Sequence, residues 1–122
     1  MQALTIIKED GMYHVVNLIN MKTVKIFETK PVATIFKNEV KYLLDSSSNL
    51  ILFEDNANFN HLPSIFGEGA QKNFVNFFNQ LKNNSFPNKE IVNFYYFKIG
   101  RWDIQLVNNK IIKFPQNNIK DA

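Results

Sequence analysis

Cysteine is absent from this chain, which removes disulfides, thiolate nucleophiles and the common zinc sites. Histidine is scarce: His14 and His61 stand far apart, and neither belongs to a metal-ligand motif. Glycine numbers four and proline four. Gly67-Glu68-Gly69 precedes a helical pattern, but no further glycine or lysine completes a phosphate loop, and Glu68 would repel an anion. No Gly-x-Ser-x-Gly elbow occurs, so Ser46-Ser47-Ser48 reads as turn chemistry after Asp45. No apolar run approaches the roughly 20 residues that span a bilayer. The start, MQALTIIKED, has neither a basic leader nor a cleavage site, so the chain as given reads as soluble and without an address. The net charge of +3 is mild and does not by itself point to nucleic acid.

What is present is core material. The 122 residues are 45% hydrophobic and 20% charged, with twelve Phe, four Tyr and one Trp, a balance that builds one ordinary globular core. Residues 98–115, KIGRWDIQLVNNKIIKFP, carry the clearest pattern. Trp102, Ile104 and Leu106 alternate with Arg101, Asp103 and Gln105, which predicts a strand with one apolar and one charged face. Asn108-Asn109 then suits a tight two-residue turn into residues 111–114.

Further strands are expected at residues 4–7, 23–27, 32–36, 40–44 and 50–53, and an aromatic one at 91–99 turned at Gly100. Asp10-Gly11, Lys37-Asn38 and residues 45–49 supply the turns. Residues 13–19 are apolar and too short to separate strand from helix. Residues 54–63 read as a surface loop, and 116–122 as the start of a helix. One helix is expected from Ala70: Ala70, Phe74, Phe77, Phe78 and Leu81 fall at helical spacing, and Pro87 lies past its end. Strands, one helix, then strands predict an α+β domain whose mainly antiparallel sheet packs against one principal helix.

No catalytic constellation emerges. The acid pairs Glu9-Asp10 and Glu54-Asp55 sit in loop-like sequence, where solvation explains them better than acid–base work. A small enzyme using Asp45 or Glu28 with His61 is one alternative. A nucleic-acid-binding sheet is another: Phe94, Tyr95, Tyr96 and Phe97 lie near Lys98 and Arg101, although a strand must turn one aromatic pair to the core.

Four sparse motifs stand in order. Glu28-Thr29-Lys30-Pro31-Val32-Ala33 closes one strand and opens the next, and Tyr42-Leu43-Leu44-Asp45 leads into a turn followed by Leu50-Ile51. Leu62-Pro63-Ser64-Ile65-Phe66-Gly67 precedes the helix, and Arg101-Trp102 with Leu106 and Phe114-Pro115 forms the final hairpin. This set resembles the bacterial cell-division proteins FtsQ/DivIB. The motif residues Glu28, Pro31, Ala33, Asp45, Leu62, Pro63, Gly67, Arg101, Trp102, Leu106 and Pro115 have structural roles in that comparison. Ser48 stands where the family usually has a turn glycine, Met21 replaces a common proline, and the arginine usual near Leu18 is missing.

The resemblance implies residues 1–31 as a truncated or divergent POTRA-like end segment, and 32–122 as an FtsQ/DivIB-like β-domain lacking its last helix and strand. It implies a non-enzymatic divisome scaffold without metal or cofactor, linking FtsB and FtsL to septal wall synthesis. The full-length protein would sit in the bacterial inner membrane, with this part on the periplasmic side. Membrane contact would come only through a segment outside this chain, and no nucleic-acid partner is implied. The chain would be an internal piece or a shortened gene product.

Overall fold

Left-handed backbone marks most strand joints. The structure, a computed structural model, describes residues 2–52, 57–59 and 62–115. Strand β1 (Gln2–Glu9) turns through Asp10 (φ 53°) and Gly11 (φ 76°) into β2 (Met12–Asn17). Strand β4 (Pro31–Lys37) turns through Asn38 (φ 52°) and Glu39 (φ 67°) into β5 (Val40–Asp45). Positive φ at both central residues matches the right-handed strand twist. The expected Lys37-Asn38 turn is therefore displaced by one residue, because Lys37 still pairs with Val40.

The chain divides into two compact units, residues 1–62 and 63–122. In the first, β3 (Thr23–Phe27), β2, β1 and β7 (Ala57–Phe59) form one sheet in that order, with β7 parallel to β1. Strands β4, β5 and β6 (Leu50–Leu52) form an antiparallel meander in the same unit. Leu4, Val15, Leu43 and Phe59 make a buried cluster, with Ile6, Phe27, Ile51 and Leu62 against it. Residues on both sides of the boundary expected at Pro31 thus share one core. β2 resolves the ambiguity at 13–19: β-branched Val15 and Val16 pair across the sheet, and the chain leaves it at Asn17.

In the second unit, β8 (Ser64–Phe66) runs parallel to β9 (Ile91–Tyr96), which pairs antiparallel with β10 (Trp102–Leu106), and β10 with β11 (Ile111–Phe114). Helix α1 (Ala70–Asn83) buries Ala70, Phe74, Phe77 and Leu81, four of the five residues of the predicted stripe, with Phe78 half-buried. Its C-terminus closes with Ser85 in the left-handed region. The amide of Phe86 donates to Leu81 O and that of Ser85 to Lys82 O, which engages carbonyls of the last turn. The fold class is α+β with mostly antiparallel pairing, as predicted.

Two expectations shift here. The strand expected over 91–99 ends at Tyr96, because Phe97 N donates to Arg101 O and Gly100 N to Phe97 O, closing a turn. The turn expected as Asn108-Asn109 has three residues, 107–109. Leu106 N bonds Lys110 O, and Asn109 takes the left-handed position (φ 69°). Within the predicted loop 54–63, residues 57–59 form β7 instead. Phe53, Glu54, Asp55, His61 and residues 116–122 lie outside the described residues, so the pairing of His61 with Asp45 or Glu28 does too.

Candidate functional site

Asp45 is a buried carboxylate of the first unit held by several hydrogen bonds. It is 3% exposed and ends β5 opposite Pro31, the first residue of β4. One carboxylate oxygen accepts the amides of Ser47 (2.9 Å) and Asn49 (2.8 Å), and the other accepts the Thr29 hydroxyl (2.7 Å). Ser46 N adds a bond to Lys30 O at 2.9 Å. Burial works to raise the Asp45 pKa. The hydrogen bonds from Thr29 and from the Asn49 and Ser47 amides outweigh it and hold the carboxyl below its ordinary range. These bonds fill most of the carboxylate's acceptor sites and favour its ionised form, a clasp tying the β3–β4 joint to the β5–β6 turn. Two motifs separated in sequence, around Pro31 and around Asp45, thereby meet. Glu28 is exposed beside them, Ala33 is fully buried, and Ser48 occupies the left-handed region at φ 67°.

In the second unit, Pro63 is buried and Leu62, at the end of the first, is half-buried. Gly67 has φ 115°, and a Cβ there would collide with the Tyr96 carbonyl, so only glycine fits the joint into α1. Glu68 pairs with Lys98 at 2.9 Å across exposed surface. Trp102 is the anchor: it stacks on Phe77 (5.1 Å, 5°) and meets Phe94 edge-on (6.0 Å, 89°). Phe114, opposite Trp102 in register, meets Phe77 at 5.5 Å. Leu106 is half-buried and Pro115 exposed.

The other face of β9–β11 corrects the expected charged surface. Asp103 is only 8% exposed, and Arg101 is half-buried rather than solvent-facing. Arg101 Nε lies 3.0 Å from Asp103 Oδ1, an ion pair whose N–H direction is poorly aligned for a hydrogen bond. The guanidinium also sits 4.3 Å above the Phe97 ring. Tyr95 stacks on Phe66 (5.3 Å, 18°) and donates to Gln105, which also accepts from Asn93. Sequence reasoning missed this polar network, whose members share a face only once the β9–β10 register is known.

Among the described residues, no group of three or more potential metal ligands occurs, and no helix is long and apolar enough to cross a membrane. The architecture is that of a strand-rich, helix-backed module whose built features are joints and anchors. No protein-family model matches the chain. No curated protein matches it by sequence. Among solved structures, the fold is similar to the major extracytoplasmic domain of the bacterial cell-division protein DivIB from Geobacillus stearothermophilus, with a TM-score of 0.56 and 13% identity. The match covers 77% of this chain and 84% of that one.

Proposed function

We propose that this chain is the extracytoplasmic part of a bacterial cell-division scaffold of the FtsQ/DivIB kind, holding proteins together rather than catalysing a reaction. The observation that carries the reading is the DivIB-like fold, found in a chain whose four motifs suggested that family independently. The clasp at Asp45 and the Trp102 anchor support it, since both use family-motif residues to fix the frame. In this reading the partners are FtsB and FtsL, the full-length protein is held at the inner membrane, and residues 1–31 are the POTRA-like end segment. The physical route is strand addition: β11 ends its sheet among the described residues, and Ile111 is 57% exposed on it.

Calorimetric titration with the extracytoplasmic segments of FtsB and FtsL tests the proposal. Saturable binding that Ile111→Asp weakens roughly tenfold supports strand addition, as loss of a buried apolar contact and a new desolvated charge would produce. Heat-silent titration of both segments, confirmed by no change in sedimentation, would contradict it. The nucleic-acid alternative is poorly served by the geometry. Tyr95 has one ring face covered by Phe66, and Arg101 is engaged by Asp103 and Phe97. Salt-sensitive binding of single-stranded oligonucleotides, lost on mutating Tyr95 and Arg101, would restore it.

A further inference from the structure

The joint between β2 and β3 exposes more apolar side chain than any other turn among the described residues. Ile19 is 84% exposed, Met21 63% and Leu18 38%. Most amides of the backbone beneath them are bonded internally. Asn17 N donates to Lys22 O, Met21 N to Asn17 O, and Leu18 N to Ala3 O. The side-chain oxygens of Asn17 and Asn20 accept the amides of Ile19 (2.8 Å) and Lys22 (3.0 Å). Five of the six amides in residues 17–22 are thus engaged, which lowers the cost of bringing the apolar side chains into a medium that cannot hydrogen-bond.

Acidic charge is kept away from this loop, whereas lysines stand at both ends of the strands. From Gly11 to Phe27 there is no Asp or Glu, while Lys22 and Lys25 stand at and just beyond the loop. The acids of β1–β3 and their joints, Glu9, Asp10 and Glu28, lie at the opposite end, by the β1–β2 turn and the exit of β3. Ile7, His14 and Ile26 are in register across β1, β2 and β3, with Ile7 39% and Ile26 49% exposed.

We propose that residues 17–22 form an interfacial anchor that inserts Ile19 and Met21 into the surface of an anionic phospholipid bilayer, with Lys22 at the headgroup phosphates. The shape favours a bilayer over a protein. A convex tip with two prominent side chains offers far less than the ~800 Å² per partner of a stable protein interface. A lipid surface needs no complementary groove, only apolar insertion and opposite charge. The inference stands on the loop's geometry and does not require the division role.

The test is co-sedimentation of the 122-residue chain with vesicles of phosphatidylcholine containing phosphatidylglycerol, compared with phosphatidylcholine alone. Binding is expected to the anionic vesicles, to weaken with salt, and to fall roughly tenfold or more in the Ile19→Ser/Met21→Ser double variant. Lys22→Glu should weaken it less. These side chains are exposed, so circular dichroism should show both variants folded. An environment-sensitive dye on Met21→Cys should shift to the blue on addition of anionic vesicles. Absence of vesicle binding, or binding indifferent to the double variant, would overturn the proposal. So would a self-associating chain whose dimer, rather than its lipid binding, the double variant abolishes.

Discussion

The meander β1–β3 of the first unit and the meander β9–β11 of the second are written in the same period-two alphabet, yet the two finish differently. In β9–β11 the apolar face is closed by α1 through Phe74, Phe77 and Leu81, and the opposite face by a polar network around Asp103, Tyr95 and Gln105. In β1–β3 one face joins the buried cluster of Leu4, Val15, Leu43 and Phe59, and the other leaves Ile7 and Ile26 in view. Alternation decides which side chains share a face. What covers that face is decided by elements remote in sequence. The helix-backed unit is built as a frame, and the hairpin of the first unit leaves apolar side chains exposed.

Core substitutions should separate the two units most sharply. Trp102→Ala removes the ring stacked on Phe77 and should cost about 3–5 kcal/mol, since the neighbouring aromatics cannot close the cavity. Leu4→Ala in the buried cluster of the first unit should cost about 2–4 kcal/mol, less than the tryptophan because a smaller volume is removed. Urea unfolding checks both, and an equal or reversed order would break the contrast. Next in size is the joint into α1. Gly67→Ala should lose roughly 2–3 kcal/mol, because the new Cβ meets the Tyr96 carbonyl at a φ that alanine avoids.

The clasp of the first unit should show its strength through pH. Asp45→Ala leaves the Thr29 hydroxyl and two turn amides without their acceptor, at a cost of about 1–3 kcal/mol at neutral pH. The folded carboxyl titrates below its ordinary value. Its contribution is therefore complete above an unfolded pKa of about 3.9, and disappears as pH falls through the lower folded value. Thermal melts of the two proteins should converge in acid, and a gap unchanged down to the acid limb would assign the effect to packing. The smallest effect has the opposite sign. Ser48→Gly should stabilise by about 0.5–1 kcal/mol, since Ser48 holds φ 67° where glycine is unstrained.

The strands were legible where β-branched and aromatic runs met turn residues. β3 falls on residues 23–27 as expected, and β4 and β5 begin or end one residue from expectation. The helix was legible because five apolar residues repeat on one stripe. β7 was not: its three residues, Ala57-Asn58-Phe59, have no pattern of their own and become a strand by parallel pairing with β1. Phe97, Lys98 and Ile99 look like strand, yet the turn bond from Phe97 N to Arg101 O takes them out of it. Burial of Asp103 was hidden because a charged residue in an alternating run ordinarily marks the wet face. The convergence of Thr29 with Asp45 depends on a register that no local pattern encodes.

Amide hydrogen exchange of the chain, alone and with the extracytoplasmic segments of FtsB and FtsL, tests the scaffold reading most directly. Strand addition predicts new protection along Ile111–Phe114, with none along Thr23–Phe27, the terminal strand of the other sheet. Unchanged exchange at β11 in the presence of saturating segments would contradict it.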